Sequence, residues 1–358
     1  MRDLQLAFIN NQITKRLFRI LSIMERDRVF TINEISNRLE VTQRTIANDL
    51  NHIRVYFGDS IALESGYNGF LFEEIKPSLY QERKQGLLEG EYLFEIIGNI
   101  FKGKQSNIDE LAHQYHFSES TFRRLLDQST PILLSYELIW ASNPLGIRGS
   151  EANLRKFFKD FFYEGIDTSY TLVPDSKLHD LVINKLSKEV EMYEIGSGTT
   201  PAAFYYTFYI TIMRARLGYS IEIPEHLVQL IYKEKSFSFF YSLQSDIEKM
   251  FQVVLSKEEF AWVYLVTLCK RTIDQEPLED NFYQRFHTGH EIALLVDDYL
   301  EEYGFKREYS EIRTFLRSFF LSRQINHSIA PALNKEAKDV KEALIHSDNE
   351  NYRQNLQF

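Results

Sequence analysis

One cysteine, Cys269, in 358 residues excludes an internal disulfide framework and any Cys-rich zinc module. Proline and glycine are scarce as well, eight and fifteen, so obligatory breaks are few and long helices are expected. No run of about 18 apolar residues occurs, and Met1-Arg2-Asp3 opens neither a leader nor a cleavage site. The chain is therefore expected to stay off the membrane and in the cytoplasm. P-loop, G-x-G-x-x-G, G-x-S-x-G and H-E-x-x-H patterns are all missing. With no nucleophile–base pair and no convincing metal set, the sequence reads as a non-enzyme without a cofactor. What is there is an ordinary folded balance, 44% apolar and 26% charged side chains.

The net charge of −10 is unevenly spread. Residues 1–165 hold 20 basic and 22 acidic side chains, against 21 and 29 beyond. A nearly neutral first half accommodates a DNA reader with a small basic face; a non-specific polyanion binder is excluded.

Self-comparison at a shift of 76 positions aligns two segments without a gap. Ile32, Glu34, Ile35, Leu39, Val41, Thr42, Thr45, Ile46 and Leu50 fall on Ile108, Glu110, Leu111, Tyr115, Phe117, Ser118, Thr121, Phe122 and Leu126. Chemical character is kept at each pair. Each unit reads as two helices joined by a tight turn, the second capped by Thr42 or Ser118. Pro131 is expected to bend or end the helix of the second unit. A hairpin signature follows each unit: Ile61–Glu64 and Phe70–Glu73 around Ser65-Gly66-Tyr67-Asn68-Gly69, then Tyr136–Trp140 and Leu145–Arg148 around Ala141–Pro144. With a leading helix (13–24 and 92–101), each module is a winged helix-turn-helix.

Beyond about Thr168 the pattern is helical alone. Leu178, Leu181, Val182 and Leu186 form a stripe, and 204–209 is an aromatic run that reads as core. Gly218 suits a helix stop, Ser256–Glu259 a capping box, and the acidic, proline-containing 275–281 a linker. Gly196–Thr200 reads as an interhelical loop and 349–358 as a frayed tail. The expected fold is mainly α: winged helix-turn-helix domains over 1–80 and 81–167, then all-helical bundles over 168–276 and 277–358.

In a helix-turn-helix the second helix enters the major groove. With Ile46, Leu50, Ile53 and Phe57 inward, a rotation of about 100° per residue turns Arg44, Asn48 and Asn51 outward. Arg and Asn make paired hydrogen bonds to guanine and adenine edges. Gln43 and Thr45 flank that row, and His52 lies on its edge. In the second unit Ser120, Arg124 and Asp127 face out, with Thr121 and Arg123 beside them. Asp127 suits only a cytosine amine there, so this helix is expected to lean on phosphate. A winged helix can also be a plain protein-interaction scaffold, which keeps a second reading open: a non-catalytic interaction or ligand-sensing protein. Among nine histidines, His179, His226 and His290 stand near expected helix starts, where an added phosphoryl group is favoured. His287 and His290, three apart, lack partners for a metal site.

The second recognition helix 118–126, the wing Leu138-Ile139-Trp140 to Gly146-Ile147-Arg148-Gly149, and the following Glu151-Ala152-Asn153-Leu154-Arg155-Lys156-Phe157-Phe158 resemble the Mga family of Gram-positive virulence regulators, which includes AtxA-like proteins. The resemblance implies an activator of transcription that binds double-stranded promoter DNA as a homodimer. It also implies two sugar-system regulatory domains (PRDs), whose histidines receive phosphoryl groups from a phosphocarrier of the phosphotransferase system. On that resemblance His179 and His226 fall in the first such domain and His290 in the second. Family members continue into an enzyme IIB-like α/β domain, a segment not expected within these 358 residues; the last bundle is expected to be short.

Overall fold

The computed structural model describes residues 4–163, 170–186, 196–198, 200–272, 275–302 and 310–345. The expected tail 349–358 and Thr199 of the small polar loop lie outside them. The chain packs as two units: Met1–Leu134 with Ile139–Arg148 and Phe158–Val173, and Ser135–Leu138 with Gly149–Phe157 and Pro174–Phe358. Described residues are mainly helical, and the strands form two small sheets.

In the first unit, α1 (Leu4–Phe8) precedes α2 (Gln12–Asp27), which Asn11 caps by accepting from the amides of Ile13 and Thr14. The apolar stripe of α2 is buried, and Arg28 ends it at φ 58°. Strand β1 (Val29–Phe30) follows, then α3 (Ile32–Leu39) and α4 (Gln43–Phe57). Thr31 Oγ1 accepts from Glu34 N at 3.1 Å while Glu34 accepts from Thr31 N at 2.7 Å, so both ends of a capping box are closed. Glu40 turns left-handed between the helices, and Thr42 Oγ1 accepts from Thr45 N at 3.2 Å. The hairpin β2 (Ile61–Gly66) and β3 (Gly69–Glu74) pairs Leu63 with Phe72 and closes across Gly66 and Gly69.

Strand β1 extends this hairpin in the order β1-β3-β2, a third strand the sequence does not announce. Two residues carry no measurable alternation, so tertiary pairing alone defines it. The pairing also fixes Gly69, whose φ is 120°. A Cβ there would stand 2.3 Å from the Phe30 carbonyl oxygen, too close for any other residue.

The second module repeats the plan. Helix α5 (Pro77–Gly86) leads to α6 (Tyr92–Phe101), α7 (Ile108–Gln114), α8 (Glu119–Ser135) and the hairpin β4 (Ile139–Ser142), β5 (Leu145–Arg148). Helix α8 does not end at Pro131. It runs on to Ser135 because Leu133, past the proline, is fully buried; burial outweighs the lost amide bond. Helix α9 (Glu151–Tyr163) closes the module, and its residues divide between the two units.

Among the described residues of the second unit the regular elements are helices. Residues 201–216 and 257–268 supply its centre: Phe204, Phe208, Phe260 and Tyr264 are buried around Phe240. Gly218, at φ 82°, stands where the first of these helices stops. Residues 276–286 are helix rather than linker, since Pro277 occupies the first turn, where its missing amide costs nothing. The capping box at Ser256 is half realised. Ser256 accepts from Glu259 N, but the Glu259 carboxylate is taken by Arg155 and by the amide of Ile221 at 2.9 Å. Burial pushes the Cys269 thiol up to about 12, so it stays protonated at neutral pH.

Candidate nucleic-acid interface

Helix α4 buries Ile46, Leu50, Ile53 and Phe57, as its spacing predicts, and this rotation exposes Gln43, Arg44, Asn48, Asn51 and His52. Among the described residues the side chains of Arg44, Asn48 and Asn51 have no hydrogen bond or ion pair. Gln43 is less free. Its Nε2 donates to Asn33 on α3 at 3.0 Å, and half-buried Thr45 shares its hydroxyl with Thr42 at 2.9 Å. The face is thus one arginine and two carboxamides on a helix pinned from behind.

Two contacts that spacing does not reveal do the pinning. Arg16 of α2 donates to both oxygens of Asp49, Nε at 2.6 Å and Nη2 at 3.0 Å. The two lie 33 residues apart, and Asp49 stands on the buried side of α4, where sequence reasoning expects no carboxylate. Arg54 Nη2 donates to the Leu63 carbonyl at 3.0 Å, fastening the hairpin to the same helix. At the hairpin tip Tyr67 is fully exposed.

In the second module Ser118 caps α8 through the Thr121 amide at 3.2 Å, and its hydroxyl meets those of Ser120 and Thr121. Ser120, Arg123, Arg124 and Asp127 are exposed, and Thr121 is half-buried. Arg123 is occupied by Glu119 at 2.6 Å, one turn back, a surface pair that phosphate can replace. Arg124 has no partner among the described residues. Trp140 of β4 donates to the Leu126 carbonyl at 3.2 Å and Ser129 Oγ at 3.1 Å, so this wing too is tied to its recognition helix.

The three histidines are exposed and lie apart in sequence in the second unit, two within helices and one just before a helix. His179 lies in 176–181, 3.7 Å from Asp180 and edge-on to Tyr205. His226 is second in 225–231, and His290 leads 291–302, its carbonyl accepting from Leu294 N at 2.9 Å. His226 also lines a cleft of about 170 Å³ with His287, a pairing across 61 residues that no local pattern signals. His287 stacks on Tyr283, and its Nδ1 meets the Tyr283 carbonyl at 2.8 Å. Among the described residues no three His, Cys, Asp or Glu side chains are grouped to hold a metal, and no helix is long and apolar enough to cross a membrane.

Residues 74–162 match the family model described as the Mga helix-turn-helix domain. The match falls on the second module and α9, while the richer Arg/Asn face belongs to the first. A protein of Streptococcus pneumoniae named as a trans-acting regulator is 24% identical over 194 residues, 52% of this chain and 38% of its own length. The capsule synthesis positive regulator AcpA of Bacillus anthracis is 22% identical over 241 residues, 64% of this chain and 48% of its own. The chain thus spans half or less of these relatives.

Proposed function

We propose that this chain, which carries an Mga helix-turn-helix domain over residues 74–162, is a DNA-binding transcriptional regulator of the activating kind. The observation carrying the proposal is the unpartnered row Arg44, Asn48 and Asn51, held outward by the Arg16–Asp49 lock. In a major groove such a row reads guanine and adenine edges, with Gln43 and Thr45 beside it. Ser120, Thr121, Arg123 and Arg124 of the second module add phosphate contacts and hence salt dependence. The boundaries 1–80, 81–167, 168–276 and 277–358 remain our division of labour: two groove readers, then two regulatory bundles.

Promoter footprinting with purified protein tests this. Arg44→Ala with Asn48→Ala is expected to weaken a specific fragment by 10-fold or more, at about 1–3 kcal/mol per paired base contact. Undiminished binding at moderate salt would instead favour winged helices acting as protein-interaction scaffolds.

The helical half is proposed to dimerise and to take phosphoryl groups at His179, His226 and His290 from a phosphocarrier. Their exposure, and the acidic charge of this half, support that reading. Each phosphoryl group adds about −1.5 to −2 charge, and at His179 it would face Asp180 directly. His179→Asp combined with His290→Asp is therefore expected to change dimer content in sedimentation or promoter output in a reporter. No change in either measurement would remove histidine control from the proposal.

A further inference from the structure

The polar residues lining a cavity of about 470 Å³ in the second unit, within the size range of small-molecule clefts, include Asn153, Glu137 and Glu222. Asn153 is 3% exposed, and its Oδ1 has no hydrogen-bond partner among the described residues. An orphaned buried acceptor is costly, and a bound donor removes that cost. Glu137 and Glu222 are exposed and unpaired among the described residues.

The local cations are spent elsewhere. Arg155 binds Glu259 and Glu151, and Arg214 binds Glu151 at 2.7 Å, so that cluster is neutral as a whole. Glu137 and Glu222 thus line the cavity with no positive side chain among its described lining residues. The lining also carries the hydrocarbon side chains of Ile221, Ile329 and Pro331.

We infer that this cavity binds a small organic amine, its ammonium between Glu137 and Glu222, one N–H reaching Asn153 and its methylenes on the apolar side chains. A bare metal ion is a poor fit, since no three ligating side chains converge among the described residues. Glu137 and Ser150 stand in sequence just before and after the wing 139–148, so an amine held here acts on chain continuous with that wing. This last consequence rests on the DNA-binding reading; the binding itself does not.

Calorimetric titration of the full chain, without DNA, with putrescine and spermidine tests the inference. Magnesium and sodium chloride at matched ionic strength serve as controls. Saturable 1:1 binding by a diamine is expected, weakened at least 10-fold in Glu137→Gln/Glu222→Gln with an unchanged thermal midpoint. Asn153→Leu is expected to lose binding as well, but the surface pair is the deciding variant, because it leaves the core intact. Heats that the salts reproduce, or equal affinity in the double variant, would overturn the inference. Because DNA is absent, a failed groove assignment leaves this result standing, and the reverse holds too.

Discussion

Single side chains decide how the first module holds α4. Asp27 ends α2 and accepts from Arg26 at 2.8 Å and from Arg38 of α3; these two bonds hold its carboxyl down to about 2. A carboxyl depressed in the folded state stabilises it above the ordinary value of 3.8, and that contribution is lost as pH falls through 2. Solvent screens the pair, so less than about 1 kcal/mol is at stake. Urea midpoints measured from pH 5 to pH 2 should converge for wild type and Asp27→Asn at the acid end, with wild type ahead above pH 4. Curves that stay parallel to pH 2 would show that Asp27 contributes nothing through its charge. The Arg16–Asp49 pair works differently. Asp49 is buried, so its value lies in setting the rotation of α4 and with it the direction of Arg44 and Asn48.

At the scale of elements, what could be read in the sequence follows the physics of each signal. Helices α2, α4 and α8 were legible because their apolar residues recur at the helical period over three or more turns. Both hairpins showed through their turn residues. Strand β1 did not, since two residues have no period, and Asp49 did not, since its partner is 33 positions away. The rotation of α4, with Arg44, Asn48 and Asn51 outward, was legible; the lock that fixes it was not. Proline misled at 277, a first-turn position where the local rule has no force, and of the two outcomes expected at 131, a bend or an end, the end does not occur because Leu133 beyond it is buried. Pro131 lies exposed in a continuous helix, so Pro131→Ala restores an amide donor without filling any space. A stability gain of about 1–3 kcal/mol is expected in urea unfolding, reduced somewhat by the freer unfolded chain. A loss would mean that the proline ring contributes to native packing.

Over the whole molecule, residues 149–157 follow the second wing in sequence yet pack with the helical unit, and a buried ionic cluster holds them there. Arg155, 0% exposed, donates to Glu259 across 104 residues and to Glu151 at 2.8 Å, with its guanidinium over the Trp262 ring. Such a cluster need not add net stability, because desolvating two charges offsets their attraction. Breaking it on one side is another matter. Glu259→Leu would strand a buried guanidinium on Glu151, which already serves Arg214, at a cost of about 3–5 kcal/mol. Arg155→Met combined with Glu259→Leu removes both charges and leaves Arg214–Glu151 intact. Its expected residual loss is about 1–3 kcal/mol, from the Ile221 amide that Glu259 had accepted. The double variant should therefore unfold at higher urea than Glu259→Leu alone. If instead the two losses simply add, the pair is not acting as a unit and the segment after the wing is held by its apolar side chains, Ala152, Leu154 and Phe157.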